Sequence, residues 1–486
     1  MSHDSEISES RSGNVHSNKR RFSPIVTVSC LLLCLSGLGL VLWGAMTAEA
    51  ILETTMVSRD LERVASRLLG LESRLQDVST FEQMLYRVWG QSADAQDEIR
   101  GWYVEALDDS SPPLDWFYLG VLQAEGDLPV DAMQRTVYET DEDEATTEFF
   151  RKLLDRTYVH PEHSSQHDQV LQARLAEEVP ANWFYFHVAE QLAKQSHDTA
   201  LEEHLREQFV RFTDPQLWHA RVLLGIECSV VGLGVFVLLR LGIRYWRTGQ
   251  ARSQPRDDVR PSPWSFGEGF AVLVRGGAIT ILLIGGMVLV PNGDRMLETY
   301  GSLFLYIPTA ILAALLLGRS QGSSLFAVLG FQRPFQVRSS FLPVVVSILT
   351  LGLLGDLCIV LGGEAFEWSV NWRDWFLPQL VWGSQEDLLK IGFEVVLLAP
   401  VFEEIIFRGL LYTTLRARCT VPISIMGSAL IFALAHGYGF VAFLTVFWSG
   451  LLWAWAYERT GSLIPGICAH AMNNGLVVYS LVAIFR

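Results

Sequence analysis

The chain contains no C-x-x-C pair and no H-E-x-x-H stretch, so neither the usual cysteine zinc sites nor the common metalloprotease helix is on offer. Its six cysteines, Cys30, Cys34, Cys228, Cys358, Cys419 and Cys468, all lie in or beside apolar runs. None falls in the polar stretch Thr47–Trp218, where no disulfide framework is therefore built. No stripe of Lys and Arg with interleaved aromatics occurs, and nothing points to nucleic acid as a partner. Charge is scarce as well. Over 486 residues, 19% are charged against 50% hydrophobic, with a mean hydropathy of +0.25, which is the composition of a membrane protein rather than of a soluble enzyme. The acidity is local: Thr47–Trp218 holds 34 acids and 14 bases, whereas the rest of the chain has 23 bases and 19 acids.

Residues 1–24 form a polar tail that includes Lys19-Arg20-Arg21. The apolar run 25–46 that follows is long enough to cross a bilayer at about 1.5 Å per residue, and is expected to be a transmembrane anchor. Ala48-Glu49-Ala50 has the form of a signal-peptide cleavage site, but the run exceeds the roughly 7–15 residues of a signal core. The basic flank places the tail in the cytoplasm and residues 47–218 outside.

That acidic extracytoplasmic domain is expected to be helical. Val57, Leu61, Val64, Leu68, Leu71, Leu75 and Val78 recur at spacings of three and four, the seam of an amphipathic helix or a short coiled coil, of which the former is expected. Pro113-Leu-Asp115-Trp-Phe-Tyr118 and Pro180-Ala-Asn182-Trp-Phe-Tyr185 each open a helical pattern and are expected to be aromatic core helices rather than units of a repeat array. Asp141-Glu142-Asp143-Glu144 reads as a solvated loop or helix start.

Residues 219–262 are expected to hold a second span and a basic cytoplasmic linker, and 263–486 the remaining spans. Apolar segments near 222–243, 270–290, 299–317, 341–363, 388–412, 421–437, 440–457 and 463–485 bring the total to nine. The bases agree with this topology: Arg244, Arg247, Arg252, Arg256 and Arg260 follow the second span, Arg319, Arg333 and Arg338 the fourth, Arg416 and Arg418 the sixth. Glu364, Glu367, Glu386 and Asp387 fall in loops assigned outside. The expected fold is all-α, a polytopic helical bundle with an inserted outer domain.

Ionisable residues within apolar helices cost several kcal/mol unless they face a cavity or a partner, which makes each a functional candidate. The sixth segment carries Glu403, Glu404 and Arg408. Glu404 and Arg408 are four apart and share a helix face, where they can pair, while Glu403 is rotated by roughly 100° and remains free for other work. Phe432 and His436 in the seventh segment, and His470 and Asn474 in the ninth, repeat the spacing of four. A lone buried histidine is more often a packing residue, and a Glu–Arg pair often only a staple. Five costly residues on three helices, each with a companion four residues away, are hard to explain in that way. Ser449-Gly450 with His470 lacks the glycine of a rhomboid-like G-x-S-G, since Phe447 stands there. Gly355-Asp356 lacks the second aspartate of an intramembrane aspartyl site, and Glu227, Arg275 and Glu394 read as interhelical or helix-end contacts.

Glu403-Glu404-Ile-Ile-Phe-Arg408, Phe432-Ala-Leu-Ala-His436 and His470-Ala-Met-Asn-Asn474 resemble the E-E-x-x-x-R, F-x-x-x-H and H-x-x-x-N motifs of the CPBP family, which comprises CAAX prenyl endopeptidases and bacteriocin-processing or self-immunity relatives. The resemblance covers roughly residues 341–485 and leaves out the outer domain. It implies peptide-bond hydrolysis inside the membrane. Glu403 would then be the general base, His436 would share or orient the water, and His470 and Asn474 would donate to the oxyanion, with Glu404 and Arg408 as support. A zinc set of Glu403, His436 and His470 is the alternative; no metal or other cofactor is the favoured expectation.

The implied partners are a membrane-associated protein or peptide substrate and the lipid bilayer, with a protein partner for residues 47–218. A catalytically silent membrane scaffold or immunity protein acting through that outer domain is the alternative function.

Overall fold

Where a run of apolar residues enters lipid, no water is present to satisfy N–H and C=O groups, and the backbone closes its own hydrogen bonds as helix. The computed structural model describes residues 22–47, 54–88, 95–108, 111–126, 128–130, 141–160, 165–248, 262–291, 293–318, 331, 341–366, 368 and 377–486. Among these no strand occurs, and the protein is an all-helical membrane bundle. Lys19–Arg21, Ala48–Ala50, Arg252, Arg256, Arg260, Arg319, Arg333, Arg338 and Glu367, with the side chains of Val57, Asp141, Asp143 and Glu364, lie outside the described residues.

Among the described residues, six helices are long and apolar enough to cross a membrane. They are α1 (Pro24–Thr47), α9 (Thr199–Thr248), α10 (Phe266–Val288), α12 (Phe341–Ala365), α16 (Phe440–Thr460) and α17 (Ile464–Phe485). Shorter apolar helical stretches occur in α11 (Gly293–Ala313, widening into Ala314–Gly318) and α15 (Val421–Leu434). Large apolar side chains such as Leu282, Leu289 and Leu342 point away from the protein, as a lipid-facing surface requires.

The expected span at 388–412 is longer and less regular than its sequence implies. After the short α13 (Pro378–Trp382), the path we call α14 runs from Gln385 to Arg416. Ordinary α-turns at Gln385–Phe393, Ala399–Glu403 and Thr413–Arg416 alternate with wide, π-type turns at Glu394–Leu398 and Glu404–Tyr412. Such turns commonly mark functional positions.

Among its described residues the acidic stretch has seven helices before α9: α2 (Thr54–Gln76), α3 (Thr80–Val88), α4 (Ala95–Ala106), α5 (Pro113–Glu125), α6 (Asp141–Leu154), α7 (Ser165–Glu178) and α8 (Trp183–Gln195). The two Pro-led motifs supply their aromatic core. Tyr118 stacks on Phe184 at 4.3 Å and Phe117 on Phe150 at 4.6 Å. Asn182 caps α8 by accepting from the Tyr185 N–H, whereas Asp115 sits inside the first turn of α5 and Pro112 holds the cap position.

The seam of α2 divides among three packing partners, as an amphipathic helix does and a coiled coil does not. Leu61 enters the aromatic core, and Leu71 meets Tyr86 and Leu217. Val64 packs against Leu380 and Val381 of α13 and against Leu481, Ile484 and Phe485 at the end of α17. Arg63 lies over the Trp382 ring beside that patch. From this unit α9 continues without a break, carrying Pro215, into the apolar stretch.

Candidate active site

The charged side chains of the site stand on α14, and the two wide turns decide how they are presented. Pro400 has no N–H to offer the carbonyls one turn back, so a wide turn forms there and leaves Val395 O in need of a donor. Asn474 of α17 supplies it, with Nδ2 donating to Val395 O at 2.9 Å. In the second wide turn, Thr413 Oγ1 donates to Arg408 O at 3.2 Å and Ser428 Oγ of α15 to Phe407 O at 2.8 Å. The resemblance implies that Asn474 donates to the oxyanion; in the structure its Nδ2 bonds the backbone of the helix that bears the glutamates.

Arg408 and Glu404 are paired as their spacing implies, with Nη1 2.9 Å from Oε1 and side chains 0% and 1% exposed. Arg408 is also held from outside its own helix: Nη2 donates to Gly450 O at 3.2 Å, and the guanidinium lies 4.5 Å from the Phe432 ring centre and 5.2 Å from that of Trp453. A planar cation stacked on aromatic rings in this way is a fixed point rather than a mobile charge.

His470 joins the two glutamates. Its Nδ1 lies 3.4 Å from Glu404 Oε1 and its Nε2 3.5 Å from Glu403 Oε2, while Trp453 stacks on its ring at 3.8 Å. The Glu404 carboxylate also rests against the first turn of α17, where Gly466 leaves room for it. A helix N-terminus is a favourable setting for a negative charge.

His436 stands just beyond α15 and is half-buried. Its Nδ1 is 2.8 Å from Phe432 O, and since a carbonyl only accepts, Nδ1 carries a proton; in the neutral form of the ring the lone pair is then on Nε2. The Phe432 ring contacts both histidines, His436 at 4.7 Å and His470 at 6.0 Å. Glu403, Glu404, Arg408 and His470 thus form one buried cluster, to which Phe432 connects His436. Among the described residues, no three His, Cys, Asp or Glu side chains gather at a spacing that would hold a metal ion.

Two contributors escaped sequence reasoning. Tyr306 of α11 donates its hydroxyl to Glu403 Oε1 at 2.8 Å, and Trp453 of α16 stacks on His470 and lies beside the Arg408 guanidinium. Trp453 carries a faint signal, since Gly450 and Trp453 are one turn apart on an apolar helix; Tyr306 carries none.

A family model described as type II CAAX prenyl endopeptidase Rce1-like matches residues 385–476. Over residues 385–476 the chain is similar to that family. Neither the comparison with curated proteins nor that with solved structures gives a match. The Rce1-like domain runs from the start of α14 to the middle of α17 and contains Glu403, Glu404, Arg408, His436, His470 and Asn474. Family and fold together support an intramembrane endopeptidase with a membrane-associated protein or peptide substrate, working within a bilayer.

The other charges noted in the apolar segments are set as follows. Glu227 and Asp356 line a cavity of about 210 Å³ among α9, α12 and α17, together with Asn473 and Ser480. Arg275 reaches back to Ala271 O and Ser23 O and lies over the Phe22 ring. Glu394 is buried at the start of the first wide turn.

Proposed function

We propose that the Rce1-like domain hydrolyses a peptide bond of a membrane-associated substrate with water activated by Glu403. The observation that supports this best is the two-sided hold on its carboxylate: Tyr306 occupies Oε1, while Oε2 faces His470 Nε2. A carboxylate fixed in this way takes a proton without reorganising, and His436 Nε2 offers a second acceptor to orient the water. His470 stabilises charge developing on the carbonyl oxygen. Asn474, with its amide committed to Val395 O, acts as a positioning residue for α14. Glu404 and Arg408 lock the frame. The route is metal-free; zinc on Glu403, His436 and His470 is the competing chemistry.

The same reading places the tail in the cytoplasm and α2–α8 on the extracytoplasmic side, supported by the basic residues that follow the second, fourth and sixth apolar segments. The domains follow: tail 1–24, anchor 25–46, outer domain 47–218, second span and linker 219–262, protease domain 263–486. The outer domain is read as a partner- or substrate-binding unit.

Glu403→Gln, His436→Ala and His470→Ala should each lower cleavage of a fluorogenic prenylated Cys-a-a-X peptide by roughly 10²–10⁴-fold, with thermal unfolding unchanged. Chelation should leave the wild-type rate intact; a rate abolished by chelator and restored by zinc would favour the metal route. Cleavage retained by all three variants would sink this assignment of the site, and a wild-type chain that cleaves nothing would favour the silent-scaffold reading.

A further inference from the structure

Tyr306 lies 97 residues before Glu403, on a different helix and outside the segment that matches the family model. The ring belongs to the same buried cluster as Ile405, Phe407 and Phe432, and is 9% exposed. Its helix is held in register by α10, where Thr280 Oγ1 donates to Leu305 O, the neighbouring carbonyl, at 2.9 Å. A phenolic O–H in an apolar setting needs an acceptor, and Glu403 Oε1 at 2.8 Å is the one it has.

We infer that Tyr306 is a positioning residue for proteolysis, whose hydroxyl fixes the Glu403 carboxylate so that Oε2 is the oxygen turned to His470 and to the reacting water. The assignment rests on Glu403 acting as the base. A donor bonded to a carboxylate holds its rotamer and favours its charged form, the form that takes a proton from water. The other groups that bear on Glu403 are His470 from α17 at 3.5 Å, and Glu404 and Arg408 from its own helix; Tyr438, between α15 and α16, interacts electrostatically with Tyr306. None of these donates to Oε1 in place of the tyrosine.

The test compares Tyr306→Phe with Glu403→Gln in the full chain in detergent, using the fluorogenic prenylated Cys-a-a-X peptide. Loss of one hydrogen bond to a charged group should lower kcat roughly tenfold. KM and the thermal midpoint should stay as in wild type. A structural role alone would lower the thermal midpoint and raise KM together with the fall in kcat. If Glu403→Gln is inactive while Tyr306→Phe matches wild type in kcat, this inference falls alone. If the wild-type chain does not cleave the peptide, or Glu403→Gln cleaves it normally, the role of Glu403 falls and takes the assignment with it.

Discussion

Arg408 shows what a single residue can be asked to do inside a bilayer. It is fully buried, paired with Glu404, bonded to Gly450 O and flanked by Phe432 and Trp453. Removing one partner of a buried ion pair costs about 3–5 kcal/mol, because the other is left unpaired in a low-dielectric site. Arg408→Ala should therefore unfold well below wild type in detergent and lose cleavage along with stability. Glu404→Gln with Arg408→Gln strands no charge and should be the more stable of the two, though still slower than wild type. An Arg408→Ala protein as stable as wild type yet inactive would place the arginine in the chemistry itself.

The Glu404–Arg408 pair was legible in the sequence from spacing alone, because i,i+4 neighbours share a face. Contacts between helices leave no such spacing: nothing in the chain ties Tyr306 to Glu403, and an isolated tyrosine in an apolar run is ordinary packing until a structure shows what its hydroxyl meets.

At the scale of helical elements, the first turn of α17 and the second half of α14 are fitted to one another through a glycine. A Cβ at Gly466 would lie 2.9 Å from Glu404 Oε2, and that carboxylate is already held by Arg408 and His470, so it has nowhere to move. At Gly475, on the same helix, a Cβ would meet only Val396 Cγ1 at an ordinary 3.7 Å. Gly466→Ala should lower both the unfolding midpoint and the cleavage rate. Gly475→Ala should be neutral or more stable by about 0.5–1 kcal/mol, the usual gain of alanine over glycine within a helix. Equal effects at the two positions would show that the Glu404 carboxylate is not seated against α17.

The apolar helices were largely legible, since apolar length set most of their limits to within several residues; the Ser265–Glu268 capping box that starts α10 ahead of the expected 270, and the extension of α9 back to Thr199, went unread. The wide turns of α14 were not legible. How a helix absorbs an interior proline such as Pro400 depends on whether a neighbour can serve the orphaned carbonyl, and here that neighbour is Asn474, more than seventy residues away.

For the whole molecule, the side of the membrane on which α2–α8 lies is the point to establish. Val170 on α7 is 68% exposed and lies far from the apolar segments in sequence. Val170→Cys, introduced into a chain whose six native cysteines are replaced, should react with a membrane-impermeant thiol reagent in intact cells. Labelling only after permeabilisation would reverse the topology. Sequence charge favours the outer side, but charge alone did not reveal that this unit is seated on the membrane bundle. The patch that joins Val64 to Leu481, Ile484 and Phe485 is made of residues that look, one by one, like ordinary core.

That seating fixes a depth. Along α17, His470 is six residues from Ile464, or about 9 Å at 1.5 Å per residue, whereas Leu481 in the α2 contact is about 17 Å further on. The cluster of Glu403, Glu404, Arg408 and His470 therefore lies toward the end of α17 opposite the α2 contact. If that cluster cuts the peptide bond as proposed, then with a hydrocarbon layer of about 30 Å anything held on α2–α8 is kept more than half a bilayer's thickness from it.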